Sequence, residues 1–335
     1  MLYFRNRLFF SILLIVFVGA PMAGAEMIRV DPSIPDYAKT GMLAGTLNSV
    51  GSDTMNNLMT LWAERFKKLY PAVTIQVEGK GSSTAPPALI AGTAQLGPMS
   101  RDIKAEEVNA FEKKYGFKPT LLRIALDGLA VYVNKDNPLQ QISLDEIDAI
   151  YSKARKRGFS EGLEKWGQLG LTGDWPARSI NLYGRNSASG TYGFFKESAL
   201  AKGDFKDRVK EQPGSASVVQ GVAEDRYAVG YSGIGYKTSG VKALKLSAKK
   251  GGGAYEPSYQ NVLNGKYPLS RYLNLYIVKD PKKPLSPLVG EFVRFILSRP
   301  GQGVVIKDGY LPLSAEVVAS ELAKLGEKTD SKAQK

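Results

Sequence analysis

The chain has 335 residues, 43% of them hydrophobic, with 35 Gly and 18 Pro; this is globular composition, long enough for two lobes, and it excludes disorder and collagen-like repeats. Histidine and cysteine are both absent, which excludes disulfides, zinc fingers, thiol catalysis, haem attachment and every triad that needs an imidazole. The formal charge is +13, so hydroxyls, carboxylates, Lys, Arg and backbone amides remain for any chemistry.

Residues 1 to 7 carry Arg5 and Arg7 and no acid, Leu8 to Val18 is almost wholly apolar, and Ala23-Gly24-Ala25 supplies an A-x-A cleavage site. This is the pattern of a secretory signal peptide over 1–25, with the mature chain beginning at Glu26. The alternative, an uncleaved anchor, finds no second apolar run to support it. With no Cys for lipid attachment, the expected location is the periplasm of a double-membraned bacterium. Cleavage removes two Arg, leaving 43 basic against 32 acidic residues and a formal +11. Such a field favours an anionic ligand, an acidic partner or an anionic membrane face, and governs encounter and solubility rather than fold.

Residues 26–43 show no sustained period and read as an irregular lead-in. Met55, Leu58, Met59, Trp62, Phe66 and Leu69 recur at three- and four-residue steps, predicting an amphipathic helix over 55–69 that Pro71 ends. A strand at 73–77, a glycine turn and a short helix over 88–91 follow. The βα repetition argues for an α/β protein with mainly parallel sheets. Leu121 to Val133 is a long β-type run broken at Asp127-Gly128, and 272–278 is a second, far along the chain. These two read as crossovers between lobes. Between them lie a capping box at Ser143 to Glu146, a strand at 180–183, a helix from about Tyr192 and a helix-strand pair across 218–231. The expected organisation is therefore lobe 1 from 44–127 plus 271–324, lobe 2 from 128–270, and a disordered basic tail at 325–335. A helix over 288–297 after the Pro-rich segment 280–287 closes lobe 1.

Three turns concentrate hydroxyls. Gly51-Ser52-Asp53-Thr54 precedes the helix at 55, where Ser52, Asp53 or Thr54 can cap it while free N–H groups point outward. Gly79-Lys80-Gly81-Ser82-Ser83-Thr84 also precedes a helix; its glycines admit close backbone approach, and Ser82 and Ser83 add donors. An ordinary glycine loop fits this turn as well as a ligand contact does. The third, Gly184-Arg185-Asn186-Ser187-Ala188-Ser189-Gly190-Thr191, combines a guanidinium, three hydroxyls, a Gly and a helix start, and points to anion binding. Other motifs fail. Gly230 to Thr238 is P-loop-like, but Tyr236 intrudes between the last Gly and Lys237; Ser239-x-x-Lys242 and Ser247-x-x-Lys250 lack the companion motifs of S-x-x-K enzymes. Asp145, Glu146 and Asp148 read as a solvated helix face rather than a metal site.

With these segments in place, the chain resembles the periplasmic phosphate-binding proteins (the PstS family) of high-affinity phosphate ABC transporters. GSDTM (51–55), GKGSSTAPPALIAGTAQLGPMSR (79–101) and GRNSASGT (184–191) carry the resemblance, which covers most of 44–320. It implies a type II periplasmic binding fold, two α/β lobes joined by two crossover strands, closing on a dehydrated anion that is handed to a membrane permease. It further implies contacts from Asp53, Thr54 and Ser82, and from Arg185, Ser189, Gly190 and Thr191; the neighbouring Ser52, Ser83, Ser100, Arg101 and Ser187 complete the expected phosphate-binding set. Where family members carry an acceptor Asp, this chain has Ser100, beside Arg101, which either points into the cleft or pairs at the lobe edge. A carboxylate accepts the proton that monohydrogen phosphate keeps and sulfate lacks. Asp53 is the first candidate for that role, and Asp127, at a hinge with Gly128, the second.

The expectation is a phosphate receptor, monomeric, with no cofactor, metal or nucleic acid and no catalytic residue. The nearest rival keeps the fold and binds sulfate, molybdate or a phosphonate. A phosphoester hydrolase using Ser189, Thr54 or Asp53 is a remote alternative without His or a two-metal carboxylate cluster. A surface adhesin or sensor partner rests only on the basic charge and tail.

Overall fold

The computed structural model describes residues 28–326. The expected signal peptide and all of the expected tail except Leu325 and Gly326 lie outside the described residues. Leu325 packs against the main core in the turn that follows the last helix.

Residues 28–44 contain no helix or strand, but they are held to the body of the protein. Ile34 is buried, the Tyr37 hydroxyl donates to Glu291 (2.8 Å), and the Arg299 N–H donates to the Pro35 carbonyl (2.8 Å). Strand β1 (Gly45–Val50) leads through a short 3-10 turn at Asp53–Met55 into α1 (Asn56–Leu69). The predicted apolar stripe is the buried face of α1: Leu58, Met59, Trp62 and Phe66. Strand β2 (Val73–Glu78) precedes a second 3-10 turn at Ser82–Thr84 and α2 (Ala85–Ala91), whose first turn holds Pro86 and Pro87, where a backbone N–H has no helical partner anyway. Then come β3 (Leu96–Met99), α3 (Ala105–Tyr115) and β4 (Thr120–Asn134).

The expected break in this run does not occur, because β4 continues through Asp127 and Gly128, with Asp127 in register opposite Arg271 and its charge satisfied there. Next are β5 (Gln141–Ser143) and α4 (Leu144–Tyr151), started by the predicted capping box: Ser143 Oγ accepts from the Glu146 N–H, and the Glu146 carboxylate accepts from the Ser143 N–H. Asp148 is not on a solvated face. It is 1% exposed and accepts from the Arg157 N–H at 2.7 Å, and burial raises its pKa above the ordinary carboxylate range. There follow β6 (Asn181–Arg185), α5 (Gly190–Ser198), β7 (Lys210–Gln212), α6 (Ser215–Glu224) and β8 (Ala228–Gly233). Beyond them lie β9 (Val241–Ala243), β10 (Lys245–Ser247), α7 (Tyr259–Leu263), β11 (Ser270–Ile277), α8 (Pro287–Leu297), α9 (Arg299–Lys307) and α10 (Ala315–Ala323).

One nine-stranded sheet runs in the order β2-β1-β3-β11-β4-β8-β6-β7, with β9 also on β4, and β5 and β10 form a separate pair. The main sheet is less parallel than expected. β1, β2 and β3 are mutually parallel, as are β6, β7 and β8, but every pairing that involves β4 or β11 is antiparallel. The reason is that β4 and β11 return between the two parallel sets. Residues 120–128 of β4 pair with β11, whereas 129–134 pair with β8 and β9.

Each set has its own aromatic packing. In the first, Phe66 of α1 meets Phe292 and Phe295 of α8 at 5.2 and 5.7 Å between ring centroids. In the second, Phe195 stacks on Tyr231 at 3.8 Å, and Tyr151 packs edge-on against both.

Candidate anion site

Parallel strands end on the same side, so the turns after β1, β2 and β3 share one edge and those after β6, β7 and β8 share another. The two edges face each other. The Thr54 hydroxyl lies 2.8 Å from that of Thr191, and the Ser83 N–H donates to the Ala188 carbonyl at 3.1 Å. Ser52 Oγ donates to Ser100 Oγ at 3.0 Å, Ser82 Oγ lies 3.3 Å from Ser100 Oγ, and the Ser100 N–H donates to Ser82 Oγ at 3.0 Å. Ser52, Thr54, Ser82, Ser100, Ser189 and Thr191 are all buried. Ser189 caps α5, its Oγ accepting from the Thr191 N–H.

Two glycines make the approach possible. A Cβ on Gly190 would strike the Ser82 hydroxyl and come within 2.7 Å of Ser100 Oγ. Gly81 has φ of +117° and faces the Ala188 carbonyl, where a Cβ would come within 2.6 Å.

Arg185 ends β6 and is 1% exposed. Its Nη1 donates to Ser215 Oγ (2.6 Å), its Nη2 to the Pro213 carbonyl (3.1 Å), and Nη2 also lies 3.1 Å from Asp53 Oδ2. Nε is buried without a hydrogen-bond partner. Burial pulls the guanidinium's pKa down, an effect opposed by the Asp53 charge. A buried donor without a protein acceptor, beside a ring of hydroxyls, suits a small oxyanion.

Most of the anticipated residues converge here; Asp53, Asp127 and Ser187 have surroundings that differ from those expected, and Arg101 takes one of its two alternatives. Asp53 is a counter-ion: its Oδ2 takes the Ser215 N–H (2.8 Å) and faces Arg185, because those two donors sit directly across the cleft from the start of α1. Asp127 is engaged on both oxygens, Oδ1 by the Ile234 N–H (2.9 Å) and Oδ2 by Arg271 Nε and Nη2 (2.9 and 2.7 Å). Arg101 takes the edge alternative, held two-pronged by Glu107 at 2.8 and 2.6 Å, with Nη2 also 3.3 Å from Ser83 Oγ. The extra charge expected at Arg101 is thus matched by a carboxylate six residues away. Ser187 is exposed, unlike the buried hydroxyls on either side of the cleft.

Sequence reasoning missed Arg271, Ser215, Tyr236 and Tyr310. Arg271 Nη2 donates to Thr191 Oγ1 (3.0 Å) and Nη1 to the Ser100 carbonyl (2.8 Å). The Tyr236 hydroxyl donates to the Asp53 carbonyl (3.0 Å), and that of Tyr310 to the Thr54 carbonyl (2.9 Å). Tyr236 lies in the P-loop-like segment set aside above, and its intrusion into that motif was the available signal. Asp308, at the end of α9, is bonded by the Asn57 amide, and burial pushes its pKa up to about 6. Among the described residues no cluster of His, Cys, Asp or Glu is placed to hold a metal, and no helix is long and apolar enough to cross a membrane.

Two parallel sets of strands, joined by long antiparallel strands and facing each other through hydroxyl- and glycine-rich strand-end turns, make this a type II periplasmic binding protein. Residues 38–300 match a family profile described as a PBP superfamily domain. The chain is 53% identical over 313 residues to the phosphate-binding protein PstS of Pseudomonas aeruginosa PAO1, covering 93% of this chain and 97% of that one. It is 31% identical over 298 residues to the PstS of Staphylococcus haemolyticus, covering 88% and 89%. Among solved structures, a Clostridium perfringens chain described as a phosphate ABC transporter substrate-binding protein, with bound phosphate, superimposes with a TM-score of 0.68 at 28% identity, covering 81% of this chain and 100% of that one. The chain belongs to the PstS family of phosphate-binding proteins.

Proposed function

We propose that this protein binds inorganic phosphate between its two sets of strands and delivers it to the permease of an ABC transporter. The carrying observation is the meeting of Thr54 and Thr191 at 2.8 Å, beside a buried Arg185 whose Nε has no protein partner. The phosphate is bound by the hydroxyls of Thr54, Ser82, Ser100, Ser189 and Thr191, by the backbone of Gly190 and by Arg185. Closure excludes water, so these donors act at low dielectric, where each is worth more than in solution. No covalent step is involved.

The sheet topology supports lobes divided where β4 changes partners between Gly128 and Leu129, with β4 and β11 as the two crossovers. Asp53 serves as a latch between the lobes through Arg185 and the Ser215 N–H, and hydroxyl oxygens accept the proton that phosphate keeps. The mature chain acts in the periplasm as a monomer after cleavage behind Ala25. Identity to PstS and the phosphate-bound Clostridium perfringens relative favour phosphate over sulfate, molybdate or a phosphonate.

The test is calorimetric titration of phosphate, with sulfate as competitor, into protein from residue 26 that has been unfolded, dialysed and refolded to strip bound anion. Saturable, near-stoichiometric phosphate binding that excess sulfate does not displace is expected. Absence of phosphate heat, or ready displacement by sulfate, would move the ligand to another anion.

A further inference from the structure

Arg271 lies on β11 at the position paired with Asp127 of β4, where the chain passes between the two parallel sets of strands. Its side chain is 3% exposed and its partner's is fully buried. A guanidinium has five N–H donors. Nε and one N–H of Nη2 go to Asp127 Oδ2, the other N–H of Nη2 to Thr191 Oγ1 and one of Nη1 to the Ser100 carbonyl, which leaves a single N–H on Nη1. Its hydrogen-bond partners are therefore a counter-ion and two members of the anion site, one from each wall, and its guanidinium also lies over the Phe194 ring, 5.2 Å from the centroid.

Thr191 is the informative contact. Its hydroxyl oxygen accepts from a cation on one side and meets the Thr54 hydroxyl on the other. A hydroxyl that accepts from a guanidinium has its own proton more strongly polarised, and that proton is directed away from the cation. Arg271 and Arg185 also sense one another, since the charge of Arg271 is among the influences that lower the pKa of Arg185. Two buried guanidinia within electrostatic range repel unless negative charge lies between or beside them; Asp53 and Asp127 each balance one.

We propose that Arg271 is a positioning residue for the anion: by donating to Thr191 Oγ1 and to the Ser100 carbonyl it turns the Thr191 hydroxyl proton towards the ligand, fixes Ser100, and adds a second positive charge behind the site. Asp127 tempers that charge. This inference rests on the phosphate-receptor reading and adds to it a charge from the crossover strand, which lies outside all three hydroxyl-rich turns.

The experiment titrates inorganic phosphate calorimetrically into the wild type, Arg271→Gln and Asp127→Asn, at pH about 5.5 and about 8.5, on either side of the second ionisation of phosphate. Thermal melts with and without phosphate accompany each titration. Arg271→Gln is expected to weaken binding about 100-fold at the higher pH and several-fold less at the lower, because a removed positive charge costs a dianion more than a monoanion. Asp127→Asn leaves the guanidinium without its counter-ion, so phosphate is expected to bind it about 10-fold more tightly and to raise its melting temperature by more than the wild type's. Equal binding by Arg271→Gln and wild type would overturn the proposal. So would equal weakening by both substitutions at both pH values, which is what a purely structural ion pair gives. Should Arg271→Gln not fold, Arg271→Lys and Asp127→Asn decide it: a lysine variant that keeps the pH dependence supports the charge, and an Asp127→Asn variant with weakened binding refutes it. If the wild type itself binds no phosphate, the receptor reading fails and this inference with it; if only the variants behave as wild type, this inference fails alone.

Discussion

The two walls of the cleft are built from different chemistry. The wall after β1, β2 and β3 offers hydroxyls, Ser52, Thr54, Ser82 and Ser100, and its nearby cation, Arg101, is taken up by Glu107. The wall after β6 and β7 has hydroxyls too, Ser189 and Thr191, but adds the buried Arg185, whose counter-ion Asp53 belongs to the opposite wall. One ion pair is therefore local to an edge, while the other spans the cleft. Charge placed on one wall and its partner on the other ties the two walls together, and the neutral hydroxyls are suited to the many directional contacts that a small anion needs.

Removing the charged wall should do the most harm. Arg185→Gln is expected to lower phosphate affinity about 1,000-fold, about 4 kcal/mol, since it deletes the charge and strands Asp53. Calorimetry that finds less than a tenfold loss would show that the charged wall is dispensable. The hydroxyl wall should matter less at any single position: Thr54→Val is expected to cost about 20-fold, near 2 kcal/mol for one buried hydrogen-bonding group, with the melting temperature of the apo protein little changed. Asp53→Asn tests the latch directly. Phosphate and sulfate should both weaken by about tenfold, leaving their ratio unaltered, because the role proposed for Asp53 is to hold the walls and not the ligand's proton. A change confined to phosphate would restore Asp53 as proton acceptor.

The smallest effect concerns stability. Asp308 lies where α9 approaches Gly235 of the other wall, and its carboxyl pKa is raised to about 6 by burial. A carboxyl raised in this way favours the fold while protonated; that contribution is complete below about pH 4 and is lost as the pH rises through about 6. Asn mimics the protonated form. Asp308→Asn should thus match wild type at pH about 4 and be more stable by about 1 kcal/mol at pH about 8, a shift of a few degrees in melting temperature. Equal melting at both values would show that Asp308 is better solvated than its surroundings indicate.

Much of the fold was legible because it is written locally. The three- and four-residue apolar steps of α1, the Ser143 and Glu146 capping box and the paired prolines of α2 each specify an element within a few residues. The Arg185 to Thr191 turn was legible for the same reason, since guanidinium, hydroxyls, glycine and helix start stand within seven positions. Partner choice was not. Arg101 faces a carboxylate six residues away and Arg185 one in a distant turn, and nothing in the residues flanking either arginine distinguishes the two cases. Asp148 departs from the predicted solvated face because helix periodicity identifies faces but not what covers them; here the loop after α4 reaches it through the Arg157 N–H.

The sequence by itself determined an α/β chain of strand-turn-helix units, three hydroxyl-rich turns, and an expected leader peptide, because these follow from short-range periodicity and composition. Only the tertiary structure decided that β4 and β11 run antiparallel between two parallel sets, that Asp53 and Asp127 are counter-ions, and that Arg271 reaches Thr191 across 80 residues of chain. The physical reason is that a buried charge takes whichever partner the packed backbone brings within about 3 Å, and that proximity belongs to the fold and not to neighbouring positions along the chain.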